Sequence, residues 1–342
     1  MQTLPTATGF AARGAIAALK ARNVAIAPLL QRVGLSEADL ENRQHRIPAT
    51  AQAKLLEYAA EALEDSAFGL HLAEQANPRE AGLLFYVASA AKDLGEALTL
   101  LERYLRIITE AARLILTRTQ DSVVVEIRFV GLGRHFVRQN AEFGFAAILK
   151  ALREVSGRNI RPTRLTFMHA RNSNLKEFER FFGCPVEFGA PSDQLSLSKE
   201  TLSLPLITGD PYLLETLQPF CDAAASERRT GSGTLRALVE NEAQRLLSHG
   251  KTQKHRIAKS LGLSARTLSR RLAEEGTTYE EVVDHLRQSL ALQYIKDPRL
   301  SFGEMTWLLG YEGSSSFSHA FRRWTGHSPS AARRQKQLPA PH

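Results

Sequence analysis

Apolar side chains recur along this chain at two periods. Over the first hundred residues the spacing is three and four, the mark of short helices with one buried stripe. Residues 9–21 carry Phe10, Ile16 and Leu19 on such a stripe, and residues 27–35 carry Leu29, Leu30 and Val33. Residues 49–63 carry Leu55, Leu56, Tyr58, Ala59 and Leu63. Ser36, with Asp39 three positions on, reads as a capping box. Further helices are predicted over 68–76, after Pro78, and along the amphipathic stretch that Asp93 caps. The period then drops to two: residues 112–117 and 122–130 are β-branched and partly alternating, as in a β-hairpin. A long helix over 134–156, a strand over 163–170, a helix over 175–182 and short strands around Val186 and Leu197 follow. Residues 1–221 are therefore expected to form a helix-rich α+β domain.

Residues 205–221 lead out of that domain through a short helix begun at Asp210 and Pro211. The stretch 222–234, DAAASERRTGSGT, is poor in large apolar groups and is the expected linker. Its Ala-rich first half also fits a continuing helix. Residues 235–336 then read as an all-α domain in which 254–276 and 301–326 share one plan, a helix, a glycine turn and a second helix. In the first unit Ile257, Ala258 and Leu261 face inward, Gly262 turns and Ser264 caps the next helix. Leu268 and Leu272, four apart, must be buried, so Arg266, Ser269 and Arg270 project to the other side. These residue types hydrogen-bond base edges and phosphates, with arginine matched to guanine. Residues 279–295 form a connecting helix that Asp297 and Pro298 end. In the second unit Ser301 and Glu304 make a capping box, Gly310 turns, and Phe317, Phe321 and Trp324 form the inner stripe. Ser315, Ser318, His319 and Arg322 are then left on the outer face, and Pro329 reads as a stop.

Charge sharpens this picture. The net +8 of the 342 residues is divided unevenly: residues 1–227 hold 25 Lys/Arg against 26 Asp/Glu, and residues 228–342 hold 19 against 10. The whole excess lies on the helical C-terminal third, where it would attract a polyanion and release its counterions. Charge alone fits RNA or an acidic membrane equally well; the paired helix-turn-helix plan selects double-stranded DNA.

Other chemistry is sparse. No apolar run approaches the roughly 18 residues of a membrane span, and the N-terminus lacks the pattern of a secretory signal. A cytoplasmic, nucleoid-associated location is expected. Cys184 and Cys221 have no CxxC spacing and no nearby His partner, so neither a disulfide framework nor a metal site is expected. Gly131-x-Gly133 follows a strand, but Phe136 stands where a dinucleotide loop needs its third glycine, so a turn is expected. His71, His135 and His169 are scattered singly and read as structural. With no Ser/His/Asp order and no phosphate loop, residues 1–221 are not expected to be a catalyst, and no cofactor is implied.

From about residue 235 to 334 the chain resembles the AraC/XylS transcription regulators. The likeness is carried by Arg287 and Ala291 of the connecting helix and by LLGYEGSSSFSHAFRRWTGHSPS. It implies two reading helices in successive major grooves, with Arg266, Ser269 and Arg270 base-facing in the first and Ser315, Ser318 and His319 in the second. Thr306 stands where the family usually has alanine, His319 where arginine is usual, and Ala332 where an aromatic is common. GLLFYVASAAKDLGEALTLLERYL and FFGCPVEFGAPSDQLSLSKETLSLPL resemble the arabinose-binding-type sensor domain of one subgroup. That implies an effector-binding or dimerising module, not a cupin-type barrel. The expected function is a sequence-specific, effector-responsive regulator of transcription. Its expected partners are promoter DNA, a small-molecule effector, a second copy of the chain and, if it activates, RNA polymerase. The alternatives are a constitutive DNA-binding regulator whose N-terminal part only dimerises, and an enzyme fused to a DNA-binding module.

Overall fold

Caps fix where the helical periods begin. The computed structural model describes residues 5–133, 136–228, 235–247, 252–295 and 300–337. A short strand β1 (Thr6–Ala7) opens the chain and is followed by α1 (Phe10–Ala21), α2 (Ala27–Val33) and α3 (Glu37–Glu41). Ser36 accepts from the Asp39 amide while the Asp39 carboxylate accepts from the Ser36 amide at 2.8 Å, so the predicted capping box is present. Next come β2 (Ile47–Pro48), α4 (Ala49–Ala62), α5 (Phe68–Gln75), α6 (Leu83–Ser89) and α7 (Leu94–Tyr104), the last capped by Asp93 at 2.8 Å from the Glu96 amide. The hairpin is β3 (Ala112–Arg118) with β4 (Ser122–Phe129). After it come α8 (Arg138–Ser156), β5 (Arg164–Phe167), α9 (Leu175–Phe182), β6 (Val186–Phe188), β7 (Gln194–Ser198), α10 (Lys199–Leu202) and α11 (Pro211–Ser226).

The strands form one five-stranded sheet in the order β3-β4-β7-β5-β6, antiparallel except for the β5–β6 pair. α8 covers it, burying Phe145 and Leu149 against the sheet's Phe167 and Leu195 in the main core. A second core ties α1, α2 and α4 together through Leu19, Leu30, Leu55 and Leu56. α5 meets α8 closely: a Cβ on Gly69 would lie 2.2 Å from the Gln139 carbonyl oxygen, so only glycine fits.

Two histidines are structural, as their isolation predicts; His135 lies outside the described residues. His71 bridges Asp65 Oδ2 at 2.7 Å and Glu177 Oε1 at 3.0 Å. The Asp65 hydrogen bond, with help from Glu177 and against partial burial, raises the His71 pKa from 6.5 to about 9. Because the folded value is the higher, the contribution to stability is complete below pH 6.5 and fades as pH climbs through about 9. Urea midpoints should therefore drop between pH 6.5 and 9 in the wild type, and His71→Gln should remove that component. His169 is buried and its Nε2 donates to Glu142 Oε1 at 2.7 Å. Burial first, outweighing that carboxylate, lowers the His169 pKa, so the ring stays neutral.

Several boundaries differ from the sequence reading. The long helix begins at Arg138, after a turn with Gly131 at φ +74°; Arg134 lies outside the described residues. α11 runs sixteen residues to Ser226 and takes over the first part of the expected linker. Cys221 and Ala225 are buried in the main core, and Asp222 accepts from both Tyr104 Oη and Arg103 Nη2 at 2.8 Å, which holds that segment helical. The rest of the expected linker, 229–234, lies outside the described residues. Both cysteines are buried and unpaired, their thiols pushed up to about 11 by burial.

The C-terminal part comprises α12 (Leu235–Leu247), α13 (Lys254–Ser260), α14 (Ala265–Glu274), α15 (Tyr279–Tyr294), α16 (Phe302–Leu308), α17 (Ser314–Thr325) and α18 (Pro329–Gln337). One core joins them: Val239 and Leu247, Ile257, Leu268 and Leu272, Leu286 and Leu290, then Met305, Phe317 and Phe321, with Ala332 of α18 packed against it. The expected stop at Asp297 and Pro298 lies outside the described residues. Pro329 starts a helix where a stop was expected, at a position where its missing N–H costs nothing.

Candidate nucleic-acid interface

Burial of one stripe decides what each reading helix exposes. On α14, Leu268 and Leu272 are fully buried, which leaves Arg266 and Arg270 exposed and Ser269 half-buried. Ser264 caps the helix, its Oγ accepting from the Thr267 amide at 3.1 Å. On α17, Phe317 and Phe321 are fully buried with their rings edge to face at 5.8 Å. Ser315, Ser318, His319 and Arg322 all stand exposed on the other side. The predicted outward sets are thus both brought together, each on its own helix.

Their arginines differ in availability. Arg270 Nη1 lies 2.8 Å from Glu274 Oε1, an exposed i,i+4 pair worth about 0.3–0.5 kcal/mol that DNA would have to displace. Arg266 and Arg322 make no hydrogen bond or ion pair among the described residues. The neighbouring Arg323 is structural: its Nη2 lies 2.5 Å from Asp284 Oδ1 on α15, and Trp324 Nε1 donates to the same carboxylate at 2.9 Å.

The second unit is held by contacts that periodicity does not reveal. Arg287 of α15 donates from Nε to the Leu309 carbonyl at 3.0 Å and from Nη2 to the Gly310 carbonyl at 3.3 Å, and lies over the Tyr311 ring. It satisfies carbonyls that the end of α16 leaves open. Arg333 of α18 reaches back to the Leu300 carbonyl at 2.7 Å. Thr306, the departure from the usual alanine, is buried and donates its hydroxyl to the Phe302 carbonyl at 2.7 Å, so it fits without an orphan. Ala332 sits half-buried against the same core.

Of the two units, only the first carries a net charge. Residues 254–276 hold six Lys/Arg against two Asp/Glu, a balance of +4, whereas residues 301–326 hold two against two. Besides α14, Arg256 and Lys259 are exposed on α13, on the face away from buried Ile257 and Ala258. Sequence reading passed over them, although their place opposite Ile257 and Ala258 was a usable signal. Such side chains suit phosphates, which set register on the duplex without reading bases.

Comparison with known proteins shows the family. The family profile "Arabinose-binding domain of AraC transcription regulator, N-term" matches residues 24–206, and "Helix-turn-helix domain" matches 257–335. The ornithine utilization regulator of Pseudomonas aeruginosa is 30% identical over 282 residues, covering 80% of this chain and 81% of its own. This chain belongs to the AraC family of transcription regulators. VirS of Mycobacterium tuberculosis, another helix-turn-helix regulator, is 28% identical over 278 residues, covering 81% of each chain. The crystal structure of the regulator CdpR from P. aeruginosa aligns with a TM-score of 0.48 at 26% identity, over 95% of this chain and 98% of that one. As an AraC-type regulator the protein binds DNA through its helix-turn-helix domain. Among its described residues no helix is long and apolar enough to cross a membrane.

One contact between the sensor and DNA-binding parts lies at a strand end. Asn241 Nδ2 of α12 donates to the Phe129 carbonyl at the end of β4 at 2.8 Å. The Phe129 side chain lines a cavity of about 190 Å³ inside the sensor, and Leu132 borders both that cavity and the cleft between the two parts.

Proposed function

We propose that this AraC-type regulator reads successive major grooves with two unequal helices under control of a small effector. Arg266, Ser269 and Arg270 of α14 would supply the stronger base and phosphate contacts. Ser315, Ser318, His319 and Arg322 of α17 would supply weaker ones. The observation that carries this is the +4 balance of the first unit beside the neutral second, with Arg266 exposed and unpaired. Selection from a random duplex pool by the full chain would yield its site. On that site Arg266→Ala should cost about 1–3 kcal/mol with the fold unchanged. Arg270→Ala should cost somewhat less, since Arg270 must first leave Glu274. Binding should weaken steeply with salt, with Lys259→Ala lowering the slope by about one. Arg266→Ala binding at the wild-type level would reject the assignment of α14.

The effector reading rests on Phe129, whose side chain meets the cavity while its carbonyl holds Asn241 of α12. An occupant that shifts Phe129 would shift the balance between a docked and a DNA-competent domain. A second copy of the chain is proposed on the face of α11. Tyr212 and Phe220 are 81% and 63% exposed on it, and Ile207 in the segment just before it is 74% exposed, apolar surface that a monomer would leave in water. The division into a sensor, a linker and a DNA-binding domain is part of the same proposal, with the sensor now reaching Ser226. RNA polymerase is proposed as a further partner if the protein activates.

A further inference from the structure

The sensor cavity is walled by Phe10, Leu84, Phe85, Ile127, Phe129 and Phe143, with small alanines between them. At about 190 Å³ it exceeds the roughly 150 Å³ of an engineered apolar cavity that stays dry and takes up benzene. Among the described residues its only charged lining residue, Lys150, is already committed: the ammonium donates to the carbonyls of Ala73, Glu74 and Ala76 at 3.4, 2.5 and 2.7 Å. The Ser89 hydroxyl donates to the Tyr86 carbonyl at 3.0 Å, Thr109 Oγ1 accepts from the Ala111 amide at 3.2 Å, and Asn140 Nδ2 reaches the Ala53 carbonyl at 3.5 Å. Gln52 is different. It lines the cavity, and its Oε1 is buried with no hydrogen-bond partner.

We infer that the effector is an uncharged hydrophobe of about eight non-hydrogen atoms, scaled from the benzene-sized cavity, carrying one hydroxyl that pairs with the Gln52 amide. This rests on the reading of the domain as a sensor. A hydroxyl both donates and accepts, so it suits the amide in either orientation. A carboxylate would be buried here with no free cation to meet it. A sugar would bring several hydroxyls to a wall whose polar side chains other than Gln52 are each already engaged, leaving most of those hydroxyls dehydrated and unpaired. The cavity therefore does not fit a pentose, despite the name of the matching family profile.

The test is calorimetric titration of the full chain with p-cresol, with toluene, 4-methylbenzoate and L-arabinose as comparisons. The inference expects saturable one-to-one binding of p-cresol, toluene weaker by about fivefold to tenfold for the lost hydrogen bond, and no saturable heat from the other two. Gln52→Leu should bring p-cresol down to the toluene level and leave toluene unchanged. Ala147→Leu, which fills the cavity from α8, should abolish both; if that variant does not fold, the Gln52→Leu comparison decides alone. Preference for arabinose or for the carboxylate, or p-cresol binding unaffected by these variants, would overturn the inference. The same preparation is titrated with its selected duplex. Duplex binding without p-cresol binding defeats the cavity assignment alone. Binding of p-cresol without the duplex leaves the cavity assignment in place and defeats the regulator reading on which it rests.

Discussion

Gly310→Ala is expected to destabilise the DNA-binding domain by about 2–5 kcal/mol, combining a left-handed backbone penalty with overpacking. Gly310 sits at φ +66°, and a Cβ there would lie 2.2 Å from the Leu247 carbonyl oxygen at the end of α12. Neither side can yield easily. Arg287 pins the carbonyls of Leu309 and Gly310 from α15, and Leu247 is itself buried in the core shared by both units. Damage at the second unit's turn should therefore reach the first unit, and DNA affinity should fall with the urea midpoint. Gly262→Ala is the control: that glycine is also left-handed, at φ +69°, but nothing lies within 4 Å of its Cβ direction. It should cost about 1–2 kcal/mol, the backbone penalty alone. Equal losses at the two glycines would show that the close approach to α12 does not matter.

The second large effect lies in the sensor. Glu142 is fully buried, with Oε1 2.5 Å from Arg171 Nη2 and 2.7 Å from His169 Nε2. Burial pushes its pKa upward, yet Arg171 and His169 outweigh that and hold it at about 2. Arg171 also donates to the Ser66 carbonyl at 2.7 Å and covers the Phe178 ring, so it ties α8 to the segments before α5 and α9. Arg171→Met strands the carboxylate and should cost about 3–5 kcal/mol in chemical denaturation. Adding Glu142→Gln should restore a large part of that loss, because the penalty comes chiefly from the unpaired charge. In the wild type the folded Glu142 pKa is the depressed one. Its stabilisation is therefore present above about 4.5 and fades only as pH falls toward 2.

How much of this was legible beforehand depends on whether a signal is local. The hairpin, α9 and both helix-turn-helix units follow from apolar period, caps and glycine turns within a few residues of each other. β1 and β2 are two residues each and pair across forty positions, too short for any period to register. α11 outran its expected end because Tyr104 and Arg103, more than a hundred residues earlier, anchor Asp222. The outward sets on α14 and α17 were readable from the buried leucines and phenylalanines alone. The Arg287 clamp, the Glu142 triad and the cavity around Gln52 are products of tertiary placement. Family resemblance alone singles out Arg287, and its role lies in tertiary contacts with the carbonyls of Leu309 and Gly310. Pro329 shows the reverse error, since a proline that ends one helix serves equally well to begin the next.

The most direct test of the central claim is dimethyl sulfate protection on the selected duplex, which reports guanine N7 in the major groove. Two clusters of protected guanines about ten base pairs apart on one face are expected for the wild type, one for each reading helix. Arg266→Ala should erase protection in one cluster and leave the other. A single cluster, or both clusters intact in Arg266→Ala, would contradict the account.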